Sequence, residues 1–583
     1  MAKGTKDLEA GLHDQTNLLP LRELLKVFFT MSLCLCVCFI DQNGIGVLLP
    51  SIAKDLNAQS TIAWAGTSAL IANTVFQVLY GRLSDLFGRK IIFLSALVLL
   101  SISDLIVSLA ANSTVLYVFR GLAGVANGGI VSLTNMIVSD IVTLQQRGKY
   151  QGILGSMIGV GNAAGPLIAA GFAENATWRG LFWLLAPLAL CAAALAYVVL
   201  PSTMPKVNFR ETIRKVDFLG LLFGSLAIIL ILIPISEGGH EKPWGSPEVI
   251  AMLTVGGVCA VVFVLVEWKI AKLPMMPLDM YRKPSVAAML LQSFLLGVCY
   301  YSYLYYLPIY YQNVHGYSII MSAVLILPLV LSQSIFSVIG GQYLSRMNRY
   351  GELLWAGFGI WTLGAGLLIL CDRQTTAGTI CGFLILIGVG VGFTFQPTIV
   401  ALQAHCSKAQ RAVIISNRNL LRSLGGAVGL AISSALTGNV LQSSLPAKLQ
   451  YIAASTFALP DLDTFSRADR ITIEDAYADA SRTVFIFCTP VIGVALLCNI
   501  FVKDKGLQRK EERDEKQQQQ PQQLVEMDES LQKGGLDVVA SKLTSESKDK
   551  GHALDDPSTD RDLSQKPSNS SIKSRISRAS KDK

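Results

Sequence analysis

Residues 81–90 read GRLSDLFGRK, Gly81 to Lys90. The stretch joins two long apolar runs and sets two glycines, an aspartate and three cations within ten residues. Between membrane spans this reads as a tight turn with fixed charges at a membrane surface. Gly81 and Gly88 permit close backbone approach or a positive φ. Asp85 can accept from Arg89 or from the next helix. Arg82, Arg89 and Lys90 mark the side of the membrane, because cytoplasmic loops are rich in lysine and arginine.

Composition points the same way. Of 583 residues, 51% are hydrophobic and 15% charged, against about 25% charged in a soluble domain. The charges collect in short clusters and at the two ends, and the apolar runs reach about 20 residues, enough to cross a bilayer. Residues 1–26 are polar and lack the pattern of a cleavable signal peptide. The formal charge of +8 belongs to basic loops and calls for no nucleic acid. The eleven cysteines lie mostly in apolar runs without a C-x-x-C pair, so they read as packing residues. No metal or cofactor is expected, and no G-x-x-x-x-G-K-[ST] stretch provides a nucleotide site.

The apolar runs number about fourteen: 27–50, 61–81, 91–111, 114–137, 150–171, 180–201, 217–236, 249–269, 286–307, 319–341, 352–371, 379–402, 412–436 and 484–502. Lysines and arginines gather on alternate loops, among them Arg147, Lys149, Arg210, Lys215, Arg346, Arg349, Lys408 and Arg411. That asymmetry sets both ends of the chain in the cytoplasm. The organisation expected is a cytoplasmic tail (1–26), a six-span bundle (27–201), a linker carrying spans 7 and 8 (202–285), and a second six-span bundle (286–502). The second bundle includes a soluble outer loop (438–482). Residues 503–583 contain KEERDEK and QQQQPQQ and read as a disordered cytoplasmic tail. Ser577 and Ser580 in that tail each follow an arginine by two residues. Asp14, Leu18 and Leu19 fit the acidic dileucine pattern [DE]-x-x-x-L-[LI], a sorting address read by adaptor proteins. The sequons at Asn112 and Asn175 fall in outer loops and are candidate glycosylation sites.

The loop Gly81–Lys90 carries every fixed position of G-x-L-x-D-x-x-G-R-K, and so resembles the major facilitator superfamily between its spans 2 and 3. Span 4 holds FRGLAGVANGG (Phe119–Gly129), similar to the family's R-x-x-Q-G with Ala123 in place of glutamine. Span 5 holds GILGSMIGVGNAAGPLIAAG (Gly152–Gly171), whose Gly161, Gly165 and Pro166 resemble the antiporter motif of drug exporters. SDIVTLQQRGKYQG (Ser139–Gly152) and VDFLGLLF (Val216–Phe223) resemble the fourteen-span drug:proton antiporter group. So do FQPTIVALQA (Phe395–Ala404) and NLLRSLGGAVG (Asn419–Gly429). YYLPIYYQ (Tyr305–Gln312) matches too, though its aromatics read as an interfacial belt. The likeness runs from about Leu25 to Val502. It implies an all-α membrane protein of the major facilitator fold, with two six-helix bundles plus two extra central helices, acting as a monomer and not as an enzyme.

Span 1 contains FIDQNGIGVLLP (Phe39–Pro50). Asp41 stands where the resembling group has an aspartate within D-x-T-I-V, and Gln42, Asn43 and Gly44 depart from that string. An arginine inside an apolar helix is functional by default, and Arg120 is one. By helical rise Asp41 lies roughly 14 Å from the outer end of its span, and Arg120 and Asp104 roughly 10 Å from theirs. Asp41 and Asp104 therefore compete for Arg120. The resemblance favours Asp41, since span 1 lines the central cavity in that family. Arg418 and Arg422, one helical turn apart, are further cavity candidates, suited to binding an anionic group or repelling protons.

These features describe a proton-coupled secondary transporter that exports small organic molecules, whether drugs, toxins or metabolites, by alternating access. Its partners are the substrate, protons and the lipid bilayer. It would act at the plasma membrane or the vacuolar membrane. A vacuolar amino-acid transporter is the alternative, and a non-transporting receptor of the same fold a third. Topology has a direct check. Pro460→Cys, in a cysteine-free background, should react with an impermeant maleimide only from the face opposite the basic loops; reaction only from the basic face would overturn the count.

Overall fold

The computed structural model describes residues 20–58, 61–62, 64–201, 217–237, 242–271, 276, 278–406, 410–454 and 465–507. Among them no β-strand occurs, as lipid demands: each helix satisfies its own backbone groups. The helices are α1 (Leu21–Asp55), α2 (Trp64–Phe87), α3 (Arg89–Ser108), α4 (Ser113–Ile141), α5 (Leu144–Asn175), α6 (Arg179–Val199), α7 (Phe218–Glu237) and α8 (Pro247–Lys269). There follow α9 (Pro284–His315), α10 (Ile319–Met347), α11 (Gly351–Leu368), α12 (Ala377–Phe395), the short α13 (Pro397–Ala404), α14 (Arg411–Ser444) and α15 (Arg467–Cys498).

Thirteen of the described helical stretches are long and apolar enough to cross a membrane, and α2 is not among them. Its 24 residues are long enough, but it carries the buried polar residues Asn73, Thr74 and Gln77. It packs along α4 and α14, so those side chains meet protein and not lipid. The thirteen are close to the fourteen expected.

Helices α1–α6 pack among themselves, as do α9–α12 with α14 and α15, and two seams join the sets: α5 against α10, and α2 against α14. Each seam sets the fifth helix of one set on the second helix of the other. Glycine makes both possible. A Cβ on Gly152 would lie 2.5 Å from the Ser337 carbonyl, and one on Gly81 would lie 2.5 Å from the Ser416 hydroxyl. Helix α7 lies across α2 and α14 through an alkyl cluster that includes Ile71, Val75, Leu232 and Leu424.

Several boundaries differ from the sequence reading. The decapeptide is not a loop: α2 runs through Gly81 and Asp85 to Phe87, and α3 begins at Arg89. Only Gly88 turns, with φ +89°. Gly81 serves close approach and Gly88 the positive φ, two different uses of a missing side chain. The outer loop expected over 438–482 is largely helical, since α14 continues to Ser444 and α15 starts at Arg467. There the polar turns of α15 pair with the α11–α12 loop, Arg373 reaching Asp475 at 3.5 Å and Glu474 at 3.8 Å. Nor do the aromatics of Tyr305–Gln312 all lie at an interface: Tyr306, Tyr310 and Tyr311 are buried in the second set of helices.

The first residues assigned to the tail are also fixed. Asp504 accepts from the backbone N–H groups of Tyr350 and Gly351, at 3.0 and 2.9 Å, groups that the first turn of α11 leaves unsatisfied. The Tyr350 hydroxyl donates to the Lys503 carbonyl at 3.0 Å. His405 Nε2 lies 2.8 Å from that hydroxyl and 3.1 Å from the same carbonyl. Burial, with Lys505 and Lys283 nearby, holds the His405 pKa down at about 4. An unfolded histidine titrates near 6.5, so between those values the unfolded chain binds the extra proton. Stability is therefore full above about pH 6.5 and declines as pH falls toward 4, by about 3 kcal/mol in all. A pH series of thermal melts in detergent should show this slope, and His405→Gln should flatten it.

Candidate functional site

In the first helix set the centre is an ion pair. Arg120 on α4 donates to Asp41 Oδ1 on α1 at 2.5 Å, and both are buried. Asn127, two turns along α4, donates to Asp41 Oδ2 at 2.6 Å. The Arg120 guanidinium rests 5.7 Å over the Phe182 ring of α6. Asp104 on α3 is buried as well, and its charged neighbours are Asp41 and Arg120. The two aspartates read as competitors for one arginine are thus both beside it.

In the second set Arg418 and Arg422 on α14 are 1% and 3% exposed, and among the described residues no carboxylate lies within ion-pair distance of either. Local backbone chemistry holds them. Pro397 has no N–H and starts a new helix, so Ile399 N–H turns to the Gln396 carbonyl. The Phe395 carbonyl is released and accepts from Arg418. Arg422 donates to the Tyr301 hydroxyl at 2.8 Å. Both guanidinium carbons stand about one ring's width from Phe395, at 4.9 and 5.1 Å from its centroid. Two cations on one face of one helix repel, and among the described residues no carboxylate pairs with either.

The residues after Asp41 connect the two sets. Asn43 donates to Asn162 Oδ1 at 2.7 Å, Asn162 donates to the Tyr300 hydroxyl at 2.6 Å, and Tyr300 donates to Gln333 at 2.8 Å. Asn73 donates to Gln42 at 3.5 Å, and Gln77 reaches Ser423 at 3.2 Å. Gly44 allows α1 to approach Gly165 of α5. The three departures from the D-x-T-I-V string thus build amide contacts and one close approach. The sequence reading did not reach Asn127, Asn162, Tyr300, Tyr301, Gln333 or Ser423. Polar residues inside apolar spans were the available signal.

At the basic face Arg89 pairs with Asp85 at 2.7 Å and with Asp140 at 3.2 Å. Lys90 donates to the Leu200 carbonyl at 2.8 Å. The Ser139 carbonyl, near the end of α4, accepts from Arg147 at 2.5 Å and from Arg411 at 3.5 Å. Cations suit the carbonyl-rich end of a helix. Arg147 also donates to Gln403 at 2.9 Å.

The remaining candidates fall elsewhere. Gly161 and Gly165 bring α5 onto α1: Cβ atoms there would lie 2.7 Å from Phe39 Cβ and 2.9 Å from the Ile40 carbonyl. Pro166 lies within α5. Asn112 caps α4, accepting from Val115 N–H at 2.9 Å, and Asn175 donates to the Gly171 carbonyl at 3.0 Å. Asp14, Leu18 and Leu19 lie outside the described residues.

The profile described as Major Facilitator Superfamily matches residues 31–430. The chain belongs to this superfamily. It is a multi-pass membrane transporter, not an enzyme. Citrate exporter 1 of Yarrowia lipolytica is 48% identical over 519 residues, covering 87% of this chain and 77% of the relative. MFS-type transporter clz4 of Cochliobolus lunatus is 41% identical over 503 residues, covering 86% and 89%. The crystal structure of the human organic anion transporter MFSD10 (TETRAN) superposes with TM-score 0.52 at 12% identity, over 83% of this chain and 100% of that one, a likeness of fold. Asp85 has a direct test. Asp85→Asn leaves Arg89 its partner Asp140, so the protein should insert and fold normally. Flux of every substrate should fall by one common factor, about 5- to 150-fold for a coupling of ordinary size. Selective loss of one substrate would contradict this.

Proposed function

We propose that the chain is a proton-coupled secondary transporter that carries a small organic polyanion, of the di- or tricarboxylate class, away from its basic face. The observation that carries this reading is the pair Arg418 and Arg422: buried, one turn apart, and without an acidic partner among the described residues. Two uncompensated guanidinium groups at membrane depth are costly. They persist where an anion completes the site. The 48% identical relative is named a citrate exporter, which supports the same class. A cationic amino acid would meet two like charges there, so the pair argues against the vacuolar amino-acid reading.

The basic face is the cytoplasmic one by the positive-inside rule. The two bundles, 27–201 and 286–502, would rock about the α5–α10 and α2–α14 seams. Asp41 and Arg120 supply the coupling. While paired they cancel, and protonation of Asp41 releases Arg120 to water or substrate. A proton entering from the outer side would thus drive an anion out.

Proteoliposomes loaded with labelled citrate provide the test. A pH gradient should drive citrate flux through the wild type. Arg422→Gln removes one charge-assisted contact and should lower that flux about ten- to a hundredfold, with Arg422→Lys between the two. Unchanged flux in Arg422→Gln, or wild-type vesicles that move lysine and not citrate, would overturn the substrate class.

A further inference from the structure

Asn419 follows Arg418 on α14 and is wholly buried. Chemistry alone orients its amide. A guanidinium only donates, and Arg418 reaches the Asn419 side chain at 3.2 Å, so the amide oxygen faces Arg418. The NH2 group faces away and meets no acceptor. Its helix neighbours show where it stands. Arg422, three residues on, and Ser423, four residues on, lie beside it on the surface of α14. Arg422 reaches Tyr301 of α9, and Ser423 meets Gln77 of α2. Asn419 is therefore placed between the α9 side and the α2 side of α14, where the two helix sets come together.

Tyr301 stands at the other end of Arg422. A Cβ on Gly426, one turn beyond Arg422, would lie 2.4 Å from the Tyr301 ring, so the bare glycine seats that ring on α14. The Tyr301 hydroxyl accepts from Arg422 at 2.8 Å. Its own proton must point elsewhere, and among the described residues no acceptor takes it. The Nε atoms of Arg418 and Arg422 are buried and unpartnered too. The acceptors of this cluster are already engaged: the Phe395 carbonyl and Asn419 Oδ1 by Arg418, and the Tyr301 oxygen by Arg422. Donors are what is left over. A buried donor without a partner costs free energy, and a ligand that brings acceptors removes the cost.

Two guanidinium groups answer two carboxylates. A third carboxylate in a buried site needs donors of its own. We infer that Asn419 and Tyr301 are specificity-determining residues, which flank Arg422 and donate to the third carboxylate of a tricarboxylate. This rests on the polyanion reading above and deepens it. A dicarboxylate engages the arginines and leaves both extra donors unmet.

Calorimetric titration of the full-length protein in lipid nanodiscs, with citrate and with succinate, tests this. The wild type should bind citrate more tightly than succinate. Asn419→Leu keeps the branched shape without the donor, and Tyr301→Phe keeps the ring on Gly426 without the hydroxyl. Each should weaken citrate about tenfold or more and succinate by less than about threefold, so that the preference collapses. Retained succinate binding shows that the variants are folded. A residue that only holds a neighbouring arginine in place would weaken both acids by one factor. That result, or unchanged citrate binding in either variant, would overturn the proposal. Asn419→Asp keeps the acceptor for Arg418 and turns the free donor into a charged acceptor. It should abolish citrate binding while the thermal midpoint holds or rises; citrate binding at wild-type affinity would overturn the proposal even where Asn419→Leu misfolds. A wild type that binds neither acid would overturn the polyanion reading and this one with it, whereas wild-type binding that the variants leave unchanged would overturn this one alone.

Discussion

A guanidinium inside a bilayer must be given an acceptor, and the placement of four arginines organises this transporter. Arg120 takes the Asp41 carboxylate and thereby binds α4 to α1. Arg147 takes the end of α4 and Gln403, binding the first helix set to the second. Arg418 takes the carbonyl that Pro397 releases from α12. Arg422 takes only a tyrosine hydroxyl. The gradation runs from full compensation to almost none. The least compensated residue is where an external anion has the most to offer, because desolvation makes an unpaired charge dear and a paired one tolerable.

The membrane-crossing segments were legible in the residues because they depend on local quantities. Apolar run length decides whether a segment crosses, and the lysine and arginine bias decides which way. The Asp41–Arg120 pair was within reach for a similar reason: helical rise converts sequence position into depth, and matched depths permit contact. Even there the reading set Asp41 and Asp104 as rivals, since depth alone cannot show that three helices bring all three groups together. The fold places α1, α3 and α4 around one point.

What stayed hidden depends on long-range packing. GRLSDLFGRK looks like a loop because it is polar and glycine-rich, yet α2 stays helical to Phe87 because Gly81 is packed against α14 and needs no turn. Tyr306, Tyr310 and Tyr311 look like an interfacial girdle, but neighbouring helices extend past them and cover them. The polar opening of α15 resembled a soluble loop because its charges are satisfied by partners far away in the chain, such as Arg373. The release of the Phe395 carbonyl to Arg418 needs two facts at once: a proline and a guanidinium two dozen residues later on another helix.

Helix α7 has a consequence for how such a machine can move without leaking lipid. It lies over α2 and α14, which belong to opposite helix sets, through isoleucine, leucine, valine and alanine side chains. An interface of alkyl groups has no preferred register beyond shape, because the attraction follows buried area and not direction. Were the two sets to tilt, α7 could keep its area while sliding over one of them, with no hydrogen bond of that alkyl cluster to lose. Helix α7 would in that case act as a greased gasket over the joint, where the Gln77–Ser423 contact joins the two sets.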